Sequence, residues 1–508
     1  MKWKALITQP TVSGLTTSTP KAPALGLFRH VQRLGVALAL LASALPAAAA
    51  ESHLPYLDGP RAMIQRGVQA VLLCNGVFTS ERPLEAVFRE ELAYLKAPLG
   101  SPATVGEAND ARAEVLIDRA NRSVRIGTLG QQSVSARYQP GIGCVVLPPD
   151  TSPNEAAPLP ALPEVPGVTA NDALPWPKGD LNAVAEPGPE VDQAALAAAS
   201  AWAFDRPTAE QNTTALLILH RGNIIHERYA EGFDQDTRTR TWSTAKSLAV
   251  TLIGLLVAEG QLALDDPLPL SWGLGRALNP EADPRRAITL RHALHMSSGL
   301  YPVDSWGGEY AIGSGLAYWA GASSQVGAQD RGLVRTPGAV WDYENYDTLL
   351  AVGAMKAVLG DRYLTYPREA LLGPLGMDRT LLSTDRFGDF ILSSQVYASP
   401  RDLARFGLLY AQGGVFAGER LLDPAWIDFV RTPAPASASI DNAYGGHFWL
   451  VPSTRTDVPA TAFSTAGNRG QYVIILPEQD LVIVRRGLDW GKQGFDRWDL
   501  LREVLKAF

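Results

Sequence analysis

Lysine is scarce in this chain of 508 residues: nine of its 45 basic side chains are lysine and the rest are arginine. A lysine at a buried position is therefore informative, because lysine can give up its proton and arginine does not. Basic clusters are lacking too. The net charge is −7 and the arginines are scattered, which argues against a nucleic-acid partner. Acidic substrates stay open, since a local pocket can oppose the global sign. Apolar runs of membrane length are missing; the longest, Leu34 to Leu45, falls short of the roughly 20 residues a spanning helix needs. No Gly-x-Ser-x-Gly elbow occurs, which disfavours an α/β-hydrolase. Neither a His-Glu-x-x-His helix nor a paired-cysteine cluster is present, so a catalytic zinc is not expected. His292 and His295 share a helical face, but no third ligand accompanies them and they read as structural. Nothing in the sequence calls for a cofactor.

What is present divides the chain. Arg29 and Arg33 lead into Leu34–Leu45, followed by Pro46 and the small residues Ala47 to Ala50. That order is an export signal with a cleavage point before Glu51. Residues 1–50 thus read as a signal peptide and the mature protein as periplasmic or secreted, with no stable membrane span after cleavage; an uncleaved anchor is the alternative. Residues 51–147 read as a small module holding the only two cysteines, Cys74 and Cys144, which are expected to bond in an oxidising compartment. Within it, Val115–Asp118 and Ser123–Ile126 form a hairpin, Tyr138 to Val146 a further strand, and Met63 to Leu73 either helix or strand. From Pro148 to Pro189 eleven prolines erase any regular period, so residues 148–190 read as an extended connector, with Trp176 and Leu181 available to anchor it.

Residues 191–508 carry the chemistry. An Ala-rich helix runs to Trp202; strands follow at Ala215–His220 and Ile224–Tyr229, joined by Arg221-Gly222-Asn223. After a long middle of loops and helices, strands return at Gly446–Val451, Gln471–Leu476 and Leu481–Arg485, then a helix from Arg497 to Lys506. Strands at both ends with helices between imply an α+β fold, an antiparallel sheet closed by the N- and C-terminal parts of the domain.

The segment Thr241-Trp242-Ser243-Thr244-Ala245-Lys246 opens an apolar helix, and Lys246 is the only charged residue between Arg240 and Glu259. Burial there pulls an ammonium's pKa down. A neutral amine one helical turn from a hydroxyl can take its proton and make it a nucleophile. Free N–H groups at the helix start suit an oxyanion. The alternative is a lysine laid along a half-buried helix with its head in water. Ser18-Thr19-Pro20-Lys21 has the same spacing in a leader where no rigid helix would form. A second candidate is Tyr343-Glu344-Asn345: the tyrosine can relay a proton and the asparagine can orient the lysine or a substrate amide. A third is Thr465-Ala466-Gly467-Asn468-Arg469-Gly470 at a strand edge, where glycine admits a substrate backbone and an N–H can complete an oxyanion hole with that of Ser243.

These three elements, in this order, resemble the serine β-lactamase and penicillin-binding-protein superfamily in its class C-like branch. Ser243-Thr244-Ala245-Lys246 is similar to the first motif and Tyr343-Glu344-Asn345 to the second. Thr465-Ala466-Gly467 stands where a Lys/His-Thr/Ser-Gly third motif belongs. Ile288 to Leu300, Leu372 to Met377 and Ser399 to Gly407 resemble the branch's other landmarks. The wording Met296-Ser297-Ser298-Gly299 and Ala466-Gly467-Asn468-Arg469-Gly470-Gln471 is most like the 6-aminohexanoate-dimer hydrolase and esterase group. The resemblance implies a β-lactamase/transpeptidase-like fold with a mostly helical subdomain. It also implies an acyl-enzyme on Ser243, with Lys246 as base, Tyr343 assisting proton transfer, Asn345 positioning, and the N–H groups of Ser243 and Asn468 as oxyanion hole. Gly467, Thr465 and Arg469 join the substrate-binding set. Thr465 departs from the pattern, because it lacks the cation that helps hold a substrate carboxylate; Arg469 is the nearby substitute. The expected substrate is a small molecule or short peptide-like amide or ester. β-Lactam or D-Ala-D-Ala hydrolysis is the alternative, and a degenerate cell-wall-binding sensor or scaffold the non-enzyme one.

Overall fold

Apolar side chains on both faces of one sheet organise the protein, whose computed structural model describes residues 58–95, 114–164, 173–272, 280–304, 309–310, 312–491 and 493–508. The leader read over residues 1–50 lies outside these. Six antiparallel strands run in the spatial order Trp449–Leu450, Phe463–Gly467, Gln471–Leu476, Leu481–Gly487, Thr213–His220, Asn223–Tyr229. The early and late strands join where Leu481 faces His220 and Arg485 faces Leu216, as the α+β reading expects. Leu216, Ile218, Ile474 and Ile483 enter one core, covered by the helices Gln193–Phe204 and Arg497–Leu505. Their neighbours Leu217, Leu219, Val473 and Val482 enter the other, under the helix Pro400–Ala411. With both faces covered, these strands read as unbroken apolar runs instead of alternating ones. Asp192 and Asp496 cap the two covering helices through their first free N–H groups.

The helix Thr244–Ala258 is buried from Thr244 to Leu256, which is why its sequence is apolar all round. Near the N-terminus, the helix Asp58–Phe78 packs on a four-stranded antiparallel sheet, Val115–Asp118, Ser123–Ile126, Val134–Gln139 and Gly143–Val146. The Cys74–Cys144 disulfide ties that helix to the last strand. The single strand expected over Tyr138–Val146 is instead the end of the strand Val134–Gln139, a turn at Pro140 and at Gly141, whose φ is 66°, and the returning strand Gly143–Val146. Gln139-Pro140-Gly141 is a turn signal, and it outweighed the flanking apolar residues. Gly446–Val451 likewise shrinks to the pair Trp449–Leu450.

The N-terminal helix lies backbone to backbone against the helix Gly315–Ala320: a Cβ at Gly67 would sit 1.7 Å from the Trp319 carbonyl oxygen. The Pro-rich connector is anchored through Trp176, whose Nε1 donates to the Gly222 carbonyl at 2.7 Å. Arg405 holds its neighbours, donating to the carbonyls of Pro177 and Gly179 and to Asp180. Leu181, the other expected anchor, is 49% exposed. Among the described residues no helix is long and apolar enough to cross a membrane.

Candidate active site

Ser243 occupies the position just before the buried helix, and Lys246 stands one turn on, 1% exposed. The lysine Nζ has three neighbours: Ser243 Oγ at 3.1 Å, Asn345 Oδ1 at 2.6 Å and the Ser393 carbonyl at 2.7 Å. Desolvation by burial pushes its pKa down to about 7, against the pull of Glu309, Asp304 and Glu344. In the neutral amine, Asn345 Oδ1 and the Ser393 carbonyl take the two N–H bonds, and the lone pair is left for the Ser243 hydroxyl. Tyr343 also hydrogen-bonds Ser243, and its ring centre lies 4.9 Å from Nζ. Burial raises the Tyr343 pKa, so its hydroxyl keeps its proton at neutral pH and is able to donate it.

Asn345 begins the helix Asn345–Leu359. Its Nδ2 donates to Asp304 Oδ2 at 2.9 Å and Ser314 Oγ at 3.0 Å, and its backbone N–H reaches the same Asp304 oxygen at 3.1 Å. These contacts fix which end of the amide faces Lys246. Burial and the charge of Asp304 push the carboxyls of Glu309 and Glu344 up, which lowers the negative charge around the lysine at neutral pH. On the solvent side, Tyr343 belongs to an aromatic box with Trp341, Tyr444 and Trp449, ring centres 5.1 to 6.3 Å apart.

The third motif lies on the strand Phe463–Gly467. Gly467 is there for close approach, since a Cβ would fall 2.1 Å from the Thr241 carbonyl oxygen. This contact sets the strand end two residues from Ser243. Thr465 is fully buried, its hydroxyl 3.0 Å from that of Thr244 and accepting the Val473 N–H at 3.0 Å. It ties strand to helix and presents nothing to a ligand. Asn468 is exposed in the turn that follows. Arg469, expected as the substitute cation, is 3% exposed, and its guanidinium is committed to the carbonyls of Glu90, Glu91, Leu488 and Asp489. The structure therefore corrects that expectation: a turn arginine can fold inward when carbonyls wait there.

A cation that sequence reading did not place at the site is Arg497. Its guanidinium carbon lies 5.5 Å from the Trp449 ring centre and 5.8 Å from that of Tyr472, and its charge acts on Tyr343. Its buried Nε has no hydrogen-bond partner among the described residues. Sequence reading missed it, along with Asp304, Ser314 and Ser393. Each is a single residue with no spacing signature. His292 accepts the Thr289 N–H in a capping box, and His295 stacks on Phe429 at 4.9 Å. Among the described residues no group of three or more potential ligands could hold a metal ion.

The Beta-lactamase family model matches residues 203–505, more than half of the chain, and the chain belongs to that family. It is 25% identical to the 6-aminohexanoate-dimer hydrolase of Paenarthrobacter ureafaciens over 310 residues, 54% of this chain and 72% of that one. The structure of a D-stereospecific amidohydrolase from Streptomyces sp. aligns at a TM-score of 0.45 and 19% identity, covering 62% of this chain and 98% of its own. A family VIII carboxylesterase aligns at 0.47 and 14% identity, covering 64% and 98%. The chain is thus a member of the Beta-lactamase family, with a 6-aminohexanoate-dimer hydrolase among its relatives.

Proposed function

We propose that this protein cleaves an ester or amide bond through an acyl-enzyme on Ser243. Lys246 takes the Ser243 proton as the Oγ–C bond forms. The N–H groups of Ser243 and Asn468 receive the carbonyl oxygen; as the bond from carbon to the leaving group breaks, Tyr343 gives that group its proton and takes the one held by Lys246, which leaves the amine neutral for the second half. Water then repeats the sequence against the acyl group and releases Ser243. The observation that carries this reading is the buried Lys246 amine set between Ser243 Oγ, Asn345 Oδ1 and the Ser393 carbonyl. A binding scaffold has no need of such an amine. Reaction with a fluorophosphonate, followed by peptide mass spectrometry, should place the label on Ser243, and Ser243→Ala should lose both label and nitrophenyl-ester turnover at a nearly unchanged melting temperature. Turnover surviving at the wild-type level in that variant would remove the assignment.

Simple esters and short amides are the favoured substrates on the evidence of Thr465, which offers no cation. Arg497 supports a second reading, a substrate bearing a carboxylate such as a β-lactam. Nitrocefin and nitrophenyl butyrate compared in wild type and Arg497→Ala decide between them. A butyrate preference that Arg497→Ala leaves alone favours the first reading; a nitrocefin preference lost in Arg497→Ala favours the second. Export, with a mature chain starting near Glu51, is part of the proposal and is supported by the Cys74–Cys144 bond. N-terminal sequencing of periplasmic protein tests it, and a start at Met1 would count against it.

A further inference from the structure

Residues 79–95 have no counterpart among the three motifs, yet they reach the turn that carries Asn468. Gly467 pairs with Gln471, which leaves Asn468, Arg469 and Gly470 as a three-residue turn. Arg469 and Gly470 both have left-handed backbones, with φ of 60° and 78°, a conformation an arginine does not favour by itself. The Arg469 side chain accounts for it. Nη1 donates to the Glu91 carbonyl at 2.8 Å and Nη2 to the Glu90 carbonyl at 2.7 Å, while Nε and Nη2 also reach the carbonyls of Asp489 and Leu488. Glu90 and Glu91 stand where the helical turn Val87–Glu91 gives way to the tighter turn Leu92–Leu95, and the guanidinium meets their carbonyls there. The Glu91 carboxylate lies 3.5 Å from Nη1. Behind them, Arg82 pairs with the carboxylates of Glu90 and Glu91 and stacks on Phe233 at 4.0 Å.

We propose that the N-terminal segment is a working part of the hydrolase site: through Arg82, the Glu90 and Glu91 carbonyls and Arg469, it holds the Asn468–Gly470 turn where the Asn468 N–H completes the oxyanion hole. Arg469 is a positioning residue here, and Arg82 acts through it. The proposal rests on the acyl-enzyme reading above.

Full-length wild type, Arg469→Gln, Arg469→Lys, Arg82→Gln and the Arg82→Gln/Arg469→Gln double variant are compared on nitrophenyl butyrate. Rates are counted per Ser243 titrated to completion with fluorophosphonate, so that unfolded protein drops out. Arg469→Gln should lower kcat about 10- to 100-fold with KM within about twofold, since an oxyanion donor contributes mainly to the transition state. Arg469→Lys should recover little of this, because one ammonium cannot span the carbonyls. The double variant should be no worse than Arg469→Gln alone, the mark of two residues acting on one element. Wild-type kcat per site in both Arg469 variants, or effects that multiply in the double, would overturn the brace. Where Arg469→Gln yields no titratable sites, Arg82→Gln decides: kcat reduced threefold or more at unchanged KM supports the brace, and wild-type kcat refutes it. A wild type that takes no label at Ser243 is a different failure, that of the acyl-enzyme reading itself.

Discussion

Ser243 and Lys246 reach each other within one turn of a buried helix, whereas the Asn468 turn is shaped by carbonyls from Glu90 and Glu91 at the far end of the chain. The first corner is built on local helical spacing, with Asn345 and the Ser393 carbonyl completing the lysine's contacts. The second is an unfavourable backbone conformation held by long-range contacts. On the proposed mechanism, the site combines a nucleophile fixed by helical spacing with an oxyanion donor fixed by tertiary structure.

The comparison breaks most sharply at Lys246. Lys246→Arg and Lys246→Ala should be equally damaging, each by about a thousandfold in kcat, because the proposed role is proton acceptance and not charge. An arginine variant ten times better than the alanine one would show that charge alone suffices there. The same corner sets the pH response. With a pKa near 7, Lys246 is protonated and idle in acid and becomes a base as pH rises. Below about pH 7, kcat/KM should therefore fall roughly tenfold per unit. A profile flat from about pH 5 to about pH 9, or one rising only near an ordinary lysine pKa, would contradict the buried-amine account.

Asp304 sharpens the contrast from within the helix corner, where it holds Asn345, the lysine's partner from the second motif. Asp304→Asn leaves the Asn345 amide free to flip, at a cost of about 1.5–3 kcal/mol in charge-assisted hydrogen bonds, so kcat should fall roughly ten- to a hundredfold. Steady-state kinetics showing an effect on KM alone would place Asp304 outside the lysine's support. The smallest effect belongs to the link between the corners. Thr244→Val removes the hydroxyl contacts to Thr465 and to the Gln471 carbonyl; about 1 kcal/mol of stability and a kcat change below about fivefold are expected. A drop as deep as that of Asp304→Asn would mean that helix and strand are positioned mainly by this contact.

Legibility in the sequence follows the same division. Ser243 and Lys246 stand out because the chemistry lies three residues apart in an apolar run. Tyr343 and Asn345 emerge from their order after it, and the strands of the large sheet from their uninterrupted apolar stretches. Asp304 and Ser393 carry no such mark: one is a lone loop aspartate, and the other contributes a backbone carbonyl that any residue possesses. The direction of Arg469 was hidden because a turn residue's side chain goes where tertiary partners are, and those partners are residues 90 and 91. Arg497 was visible only as the first residue of a terminal helix.

The central sheet also has a consequence for the order of events during synthesis. Thr213–His220 pairs with Asn223–Tyr229 on one side almost at once, but its other edge waits for Leu481–Gly487, which emerges only after the whole intervening stretch has been made. Until then the Ser243 helix lacks the strand Phe463–Gly467 against which Thr244 rests. Such late, distant pairing makes for slow folding and a prolonged exposure of strand edges. A ribosome-bound chain stopped short of Leu481 is therefore a nascent hydrolase without an active site, and one with an open edge for chaperones or for a second chain.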